Sequence, residues 1–147
     1  MGFTLNADLY MDYIIRAAEI IAKNKDYVTA LDAVTGDGDH WANLNAGFEC
    51  LVSEAASLRQ MPLDAAFMRI GMLMMSKVGG SSGVLYGGAY MAAGKQLGGR
   101  TEMNRAELGQ VFRAMLEDMM QRGGAKPGFK TMIDTLYPVV SAYEKGL

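Results

Sequence analysis

Apolar residues recur at helical spacing along most of the chain. In residues 9–22 the apolar positions follow one another at i, i+4, i+7 and i+11, which is the spacing of one face of a helix. The same spacing returns in residues 43–58, with Asn43 predicted as the N-cap. It returns again from Pro62 to the glycines at 79 and 80. Each stretch predicts an amphipathic helix with one face in the core.

Three more helices are expected in the second half of the chain. The fourth spans about residues 82–97, and the fifth begins with the capping-box pair Asn104 and Glu107. The sixth begins near Thr131 and contains Pro138, which is expected to kink it. No alternating run is long enough to seed a sheet. The pattern therefore predicts an all-α fold, an antiparallel bundle or barrel of six amphipathic helices.

Composition narrows the class of protein. The 147 residues correspond to one domain, residues 1–147, and the chain is 50% hydrophobic and 20% charged. A net charge of -2 means that the chain has no net positive potential to attract nucleic acid. No apolar run approaches the roughly 18 residues of a membrane span. A single cysteine and a single histidine exclude an intramolecular disulfide and the usual Cys/His zinc sites. We expect a cytoplasmic protein without nucleic-acid or membrane partners.

The most informative segment is an acidic stretch between two predicted helices. Asp32, Asp37 and Asp39 lie within eight residues, with glycines that allow a tight turn. Oxygen ligands select a hard cation, and the spacing does not fit an EF-hand, so Mg²⁺ is favoured. His40, Asn43 and the following helix N-terminus could bind phosphate beside the cation. A solvated acidic turn that caps a helix explains the same residues equally well.

A second glycine-rich segment, residues 77–88, runs into the fourth helix. Backbone N–H groups around Ser81 and Ser82 could cradle an anion, although the Gly-Lys-Ser/Thr ending of a P-loop is missing. Gly83 and Gly87 predict the close approach of another backbone or of a ligand. A tight turn between helices is an equally good interpretation.

A third segment, residues 122–132, again has glycines and basic residues just before the start of a helix. Gly123 follows an arginine at the end of the fifth helix, and Lys130 and Asp134 have the spacing of an i, i+4 ion pair. The folding of a helical bundle does not require three glycine-rich loops that each lead into a helix, so the loops are expected to have a function.

Taken together, these segments resemble the nucleotide-binding subunit L of the dihydroxyacetone kinases. The resemblance covers nearly the whole chain in four ordered blocks. The matching positions are Leu31, Asp32, residues 36–40 and Asn43; Asn45, Gly47 and Phe48; Ser76, residues 78–80, Ser82, Gly83 and Leu85; and Arg122, Gly123, Gly128, residues 130–132 and Asp134.

The resemblance implies a fold and a site. The fold would be an antiparallel barrel of eight amphipathic helices, of which this chain supplies six and lacks those at the C-terminal end. ADP or ATP would lie on the loops at one end of the barrel. Mg²⁺ ions would be held by Asp32, Asp37 and Asp39, and the nucleotide or its phosphates would be contacted by His40, Asn43, Ser81, Ser82, Gly123 and Met132.

The resemblance also implies an activity and partners. The chain would be half of an active site, with no catalytic nucleophile of its own, and a phosphoryl group would pass to a triose held on a partner subunit K. Some family members use ATP, and others keep ADP as a bound cofactor that a phosphohistidine-carrying phosphotransferase-system subunit M recharges. A homo-oligomer is also expected. The alternative is a non-catalytic nucleotide-sensing or regulatory module of the same fold.

The chain departs from the family pattern at several positions. Trp41 replaces a usual glycine, Val84 a common proline and Phe129 a common aspartate. The family also continues through two more helices and a segment that closes over the nucleotide. We expect Trp41 to reshape the pocket or to face the partner subunit.

Overall fold

The fold is helical, with one short pair of strands. A computed structural model describes residues 2–147. Within that range it contains eight helices and two strands, which are β1 (Thr4–Asn6), α1 (Ala7–Lys23), α2 (Lys25–Asp32), α3 (His40–Ser53), α4 (Ala55–Leu58), α5 (Leu63–Lys77), α6 (Gly80–Leu97), β2 (Glu102–Asn104), α7 (Arg105–Gly123) and α8 (Ile133–Lys145). The predicted helical class is confirmed.

The predicted number of six helices is wrong, for two local reasons. Helix α2 is only eight residues long and buries none of them, so its apolar spacing is too short to be recognised as a separate core-facing helix. The second predicted helix is divided at Glu54, which ends α3 and precedes the single turn of α4.

Asn43 is not the N-cap of the second predicted helix. Helix α3 begins three residues earlier, at His40, and Asp39 occupies the N-cap position. The Asn43 N–H donates to the Asp39 carbonyl at 3.0 Å, so Asn43 already lies inside the first turn. The acidic segment therefore leads directly into the helix, and the histidine is its first residue.

The two strands join the starts of two long helices. Strands β1 and β2 pair antiparallel, with Thr4 opposite Asn104 and Leu5 opposite Met103. Each strand ends in an asparagine whose side chain caps the next helix: Asn6 accepts from Leu9 N, and Asn104 accepts from Glu107 N. At three residues each, the strands are too short to show an alternating pattern, so the expectation of no sheet was wrong for a reason of length.

The helices pack around α5 and α6. The extensive helix contacts connect α1 with α3, α3 with α5, α5 with α6, α6 with α7, and α7 with α8. The largest side chains in the core are almost completely buried and include Phe67, Met11, Leu51, Leu58, Leu63 and Ile70. The closed eight-helix barrel implied by the family resemblance stays a prediction. No helix within residues 2–147 is long and apolar enough to cross a bilayer.

Helices α5 and α6 touch backbone to backbone. A Cβ atom on Gly71 would lie 2.7 Å from the Gly87 carbonyl oxygen, and one on Gly87 would lie 2.8 Å from the Gly71 carbonyl oxygen. Real Cβ atoms do not come so close to a backbone oxygen. The predicted close approach at Gly87 is therefore made by the backbone of α5, and the packing of the two helices compensates for the low helix propensity of glycine.

Loss of the α7 cap should measurably destabilise the protein. Asn104 Oδ1 accepts from Glu107 N at 3.0 Å, and Glu107 Oε2 accepts from Asn104 N at 2.8 Å. Asn104→Ala removes the hydrogen bond that Asn104 Oδ1 accepts and should lower the free energy of unfolding by about 1 kcal/mol. Urea unfolding measures the change, and Gln110→Ala, at an exposed position on the same helix, is the control. Equal stability of the two variants would contradict the capping role.

The Arg113–Glu144 ion pair between α7 and α8 should weaken at low pH. Arg113 Nε donates to Glu144 Oε1 at 2.9 Å, and these hydrogen bonds lower the pKa of the Glu144 carboxyl. Because the folded-state pKa lies below the unfolded-state value, the stabilisation is present above about pH 4 and is lost as the pH falls through the folded-state pKa. Glu144→Gln should therefore lower the melting temperature at pH 7, and the difference from wild type should narrow towards pH 3. A difference that does not change with pH would contradict this.

Candidate functional site

Three carboxylates converge on one point beside α3. Asp32 ends α2, and Asp37 and Asp39 lie in the turn that follows; one carboxylate oxygen from each lies within 4.8 Å of the others. Asp32 is half-buried and the other two are exposed. Such a cluster is self-repelling unless it is solvated or holds a cation, and a hard cation with oxygen ligands at about 2.0 to 2.6 Å could bridge these separations. We refer to these three residues as the acidic triad.

Two glycines shape the turn that brings the triad together. The Gly36 N–H donates to the Asp32 carbonyl at 2.7 Å, and a Cβ at Gly36 would overlap the Asp32 carboxylate. Gly38 has a φ of +78°, a conformation that L side chains rarely adopt. A side chain at Gly36 would displace the Asp32 carboxylate, and one at Gly38 would strain the turn that carries Asp37 and Asp39.

The first residue of α3 connects the triad to the start of α6. His40 N–H donates to Asp32 Oδ2 at 3.1 Å, and His40 Nδ1 lies at hydrogen-bond distance, 3.2 Å, from the Ser82 hydroxyl. One turn further along α3, the Asn43 amide lies against Gly79, where an added Cβ would be 2.7 Å from Asn43 Cγ. The first and second sequence segments therefore meet in space.

The N-terminus of α6 opens beside these groups. Gly79 occupies its N-cap position and has no side chain with which to cap the helix, and Ser81 and Ser82 lie in the first turn. The helix continues for 18 residues to Leu97, so its first N–H groups carry the positive end of a full helix dipole. This arrangement favours an anion next to the triad.

A cavity of about 250 Å³ joins the second and third segments. It brings Ser81 together with Gly123 and Met132. The other lining residues were not predicted as site residues and are mostly apolar: Leu85, Met119, Ala125, Thr131 and Ile133. Met119 could have been found from the sequence, because it precedes Gly123 by four residues and so shares its face of α7.

The third segment is folded around an aspartate. Asp134 accepts from the backbone N–H of Gly128 at 2.6 Å and of Lys130 at 2.8 Å. The carboxylate thus binds the backbone of Lys130, which has a φ of +57°. Phe129 is exposed, with the Lys126 ammonium 5.4 Å from its ring centroid. These contacts fix the turn that leads to Met132 at the start of α8.

The indole of Trp41 contacts the junction of α1 and α2. Its Nε1–H donates to the Ile21 carbonyl at 2.8 Å, and the Lys25 ammonium lies 5.2 Å from the ring centroid. Trp41 does not line the 250 Å³ cavity.

A larger, almost wholly apolar cavity of about 520 Å³ lies away from the predicted site. It is bordered by β1, α1, α7 and α8, and it contains none of the predicted site residues. On its α1 side the Tyr10 hydroxyl lies 2.7 Å from that of Tyr90. Burial raises the pKa of both tyrosines above the ordinary value.

The chain has clear relatives among known proteins. Residues 34–147 match the DAK2 domain. The chain is 32% identical to the ADP-binding subunit DhaL of the PEP-dependent dihydroxyacetone kinase of Escherichia coli, over 95% of this chain and 66% of that protein. It is 38% identical to the corresponding subunit of kinase 2 of Listeria innocua, over 85% of this chain and 59% of that protein. It thus spans about two thirds or less of these relatives.

A solved structure shares the fold. The crystal structure of the dihydroxyacetone kinase of C. freundii superposes with a TM-score of 0.73 at 29% sequence identity. The match covers 88% of this chain and 23% of the kinase chain.

Proposed function

This chain belongs to the family of DAK2 domains, and on that premise we propose that it is the nucleotide-binding subunit of a dihydroxyacetone-type kinase. It would bind ADP or ATP with Mg²⁺, and a phosphoryl group would pass from its site to a triose on a partner subunit. The observation that carries the proposal is the acidic triad, which lies beside the uncapped start of α6. His40 links the two, because its N–H donates to Asp32 and its ring lies at hydrogen-bond distance from Ser82 in α6.

The acidic triad fits a hard divalent cation. Its ligands are carboxylate oxygens, and two of the three carboxylates are exposed and free to approach a ligand. Bound Mg²⁺ would neutralise the charge that phosphate oxygens carry during transfer. The Asp32 carboxylate is held in place by the His40 N–H, which leaves its other oxygen for the cation.

The phosphates would lie between the triad and α6. The Ser82 hydroxyl and the first N–H groups of α6 can donate to phosphate oxygens, and His40 and Asn43 stand at the same edge. Phosphoryl transfer relies chiefly on positioning and on electrostatic stabilisation. We therefore assign these residues to binding and none to nucleophilic catalysis.

The base would occupy the 250 Å³ cavity. This volume lies below the range of about 300 to 1,000 Å³ for pockets that enclose a whole drug-sized ligand, so it suits one planar group better than a complete nucleotide. Its lining is mostly apolar, with Gly123 and Met132 on one side and Ser81 on the other. Ser81 precedes Ser82, so a molecule with its base here would have its phosphates near the triad.

The partners follow from the same proposal. A substrate-binding subunit K would hold the triose, as the resemblance to subunit L of the dihydroxyacetone kinases implies, and the triose hydroxyl would be the nucleophile. The relatives' names, ADP-binding subunits of PEP-dependent kinases, support bound ADP recharged by a phosphohistidine subunit M over direct use of ATP. A cytoplasmic location and a homo-oligomer belong to the same proposal.

Reconstitution tests the proposed activity. The purified chain is combined with a substrate-binding subunit K and with either ATP or a phosphohistidine donor, and formation of dihydroxyacetone phosphate is measured. We expect turnover with one donor and its loss in Asp37→Asn. Nucleotide binding without turnover under either condition would contradict the kinase proposal and favour the nucleotide-sensing alternative.

A further inference from the structure

Helix α2 carries a triad residue but is weakly anchored by packing. It spans Lys25–Asp32, and none of its eight residues is buried. Apolar burial, the usual source of helix stability in a protein, therefore contributes little to its position. Helix α2 does pack against α3, but only Val28, Thr29 and Asp32 are half-buried, so contacts at the two ends of the helix add to the placement of Asp32.

Both ends of α2 are tied to consecutive residues of α3. At the C-terminal end, Asp32 Oδ2 accepts from the His40 N–H at 3.1 Å. At the N-terminal end, the Lys25 ammonium lies over the Trp41 ring, 5.2 Å from its centroid. The Trp41 Nε1–H donates at 2.8 Å to the carbonyl of Ile21, in the last turn of α1.

The Ile21 carbonyl is where α1 gives way to α2. It also accepts from the backbone N–H of Asn24, the residue between the two helices, at 3.1 Å. The Trp41 indole therefore fastens the start of α3 to this junction. It contributes two separate contacts, an N–H donor to α1 and an aromatic face to α2.

We propose that Trp41 is a positioning residue for the acidic triad. By holding the α1–α2 junction against the start of α3, it fixes the end-to-end placement of α2 and hence the distance of the Asp32 carboxylate from Asp37 and Asp39. This inference rests on the proposed function, in which the triad holds Mg²⁺. Groups that orient metal ligands without touching the metal are worth about 10- to 100-fold in metal affinity.

Trp41→Phe removes the indole hydrogen bond but keeps an aromatic ring. Phenylalanine keeps a ring for the Lys25 ammonium but has no N–H for the Ile21 carbonyl. We expect the Mg²⁺-dependent gain in ADP affinity to fall about tenfold. The melting temperature should fall by no more than about 4 °C, because one half-exposed hydrogen bond is lost.

The experiment combines three measurements on wild type and Trp41→Phe. These are calorimetric titration of ADP with Mg²⁺ and with EDTA, thermal melting, and amide hydrogen exchange of residues 25–39. Tyr27→Leu is the control, because Tyr27 lies on the same helix and is 66% exposed. The inference predicts a reduced Mg²⁺-dependent gain and faster exchange in α2 for Trp41→Phe, and neither change for the control.

The possible outcomes separate this inference from the proposed function. Wild-type Mg²⁺-dependent affinity in Trp41→Phe would overturn the positioning role. Equal weakening with Mg²⁺ and with EDTA, together with faster exchange throughout the protein, would also overturn it and would make Trp41 merely structural. A wild-type chain that binds no ADP overturns the proposed function, and this inference with it. Unchanged exchange of α2 in Trp41→Phe overturns the anchoring whatever the ligand result.

Discussion

Asp37→Asn is expected to weaken the Mg²⁺-dependent binding of ADP strongly. Asparagine has nearly the shape of aspartate but lacks its charge, and Asp37 is an exposed residue of the turn, so the fold should be preserved. Affinity for a hard cation depends steeply on the number of charged ligands. With two of three carboxylates left, we expect ADP affinity in Mg²⁺ to fall by about 100-fold, or about 2.7 kcal/mol.

Calorimetric titration of ADP in Mg²⁺ measures this loss. Glu102→Gln is the matched control, since it removes the same charge from an exposed position on β2, outside the triad. The control should bind as the wild type does. Wild-type affinity in Asp37→Asn would show that the triad is only a solvated acidic turn.

Gly83→Ala is expected to give the largest loss of stability among the variants considered. A Cβ at this position would overlap the Val78 carbonyl oxygen and would lie 3.2 Å from the Met74 carbonyl oxygen. Overpacking of this kind typically costs about 1 to 3 kcal/mol, which exceeds the gain of up to about 1 kcal/mol in helix propensity. At about 2 to 4 °C per kcal/mol for a chain of this size, the melting temperature should fall by several degrees.

Gly123→Ala is the control for this prediction. It is also a helical glycine, but the nearest atom to its added Cβ is Leu85 Cδ2 at 3.5 Å, an ordinary contact. Its stability should therefore equal or slightly exceed that of the wild type. If Gly83→Ala melts at or above the wild-type temperature, the backbone approach at the start of α6 does not constrain this position.

The sequence predicted the long helices and missed the short elements, which have between three and eight residues. Helices α1, α5 and α7 each present a repeated apolar stripe to the core, and each was anticipated. Helix α2 was missed because it is only eight residues long and runs directly into the acidic turn, and the division of the second predicted helix at Glu54 was missed as well. The strand pair depends on a contact between residues far apart in the chain, which no local pattern specifies.

The candidate site is likewise only partly predictable from the sequence. The acidic triad is encoded locally, because its members are close in sequence and glycines allow the turn. The meeting of Ser81 with Gly123 and Met132 around one cavity depends on how α6, α7 and α8 pack. Spacing alone could not predict it, and only the family resemblance placed those residues together. Asn43 was predicted as a helix cap because the sequence does not show where the turn ends.

The most direct test of the central claim is calorimetric titration of ADP into the wild-type chain, first with Mg²⁺ and then with EDTA. The account predicts saturable binding in Mg²⁺ that EDTA abolishes or strongly weakens, because the acidic triad would repel the phosphates without a cation. Absence of binding under both conditions, or equal binding with Mg²⁺ and with EDTA, would contradict it.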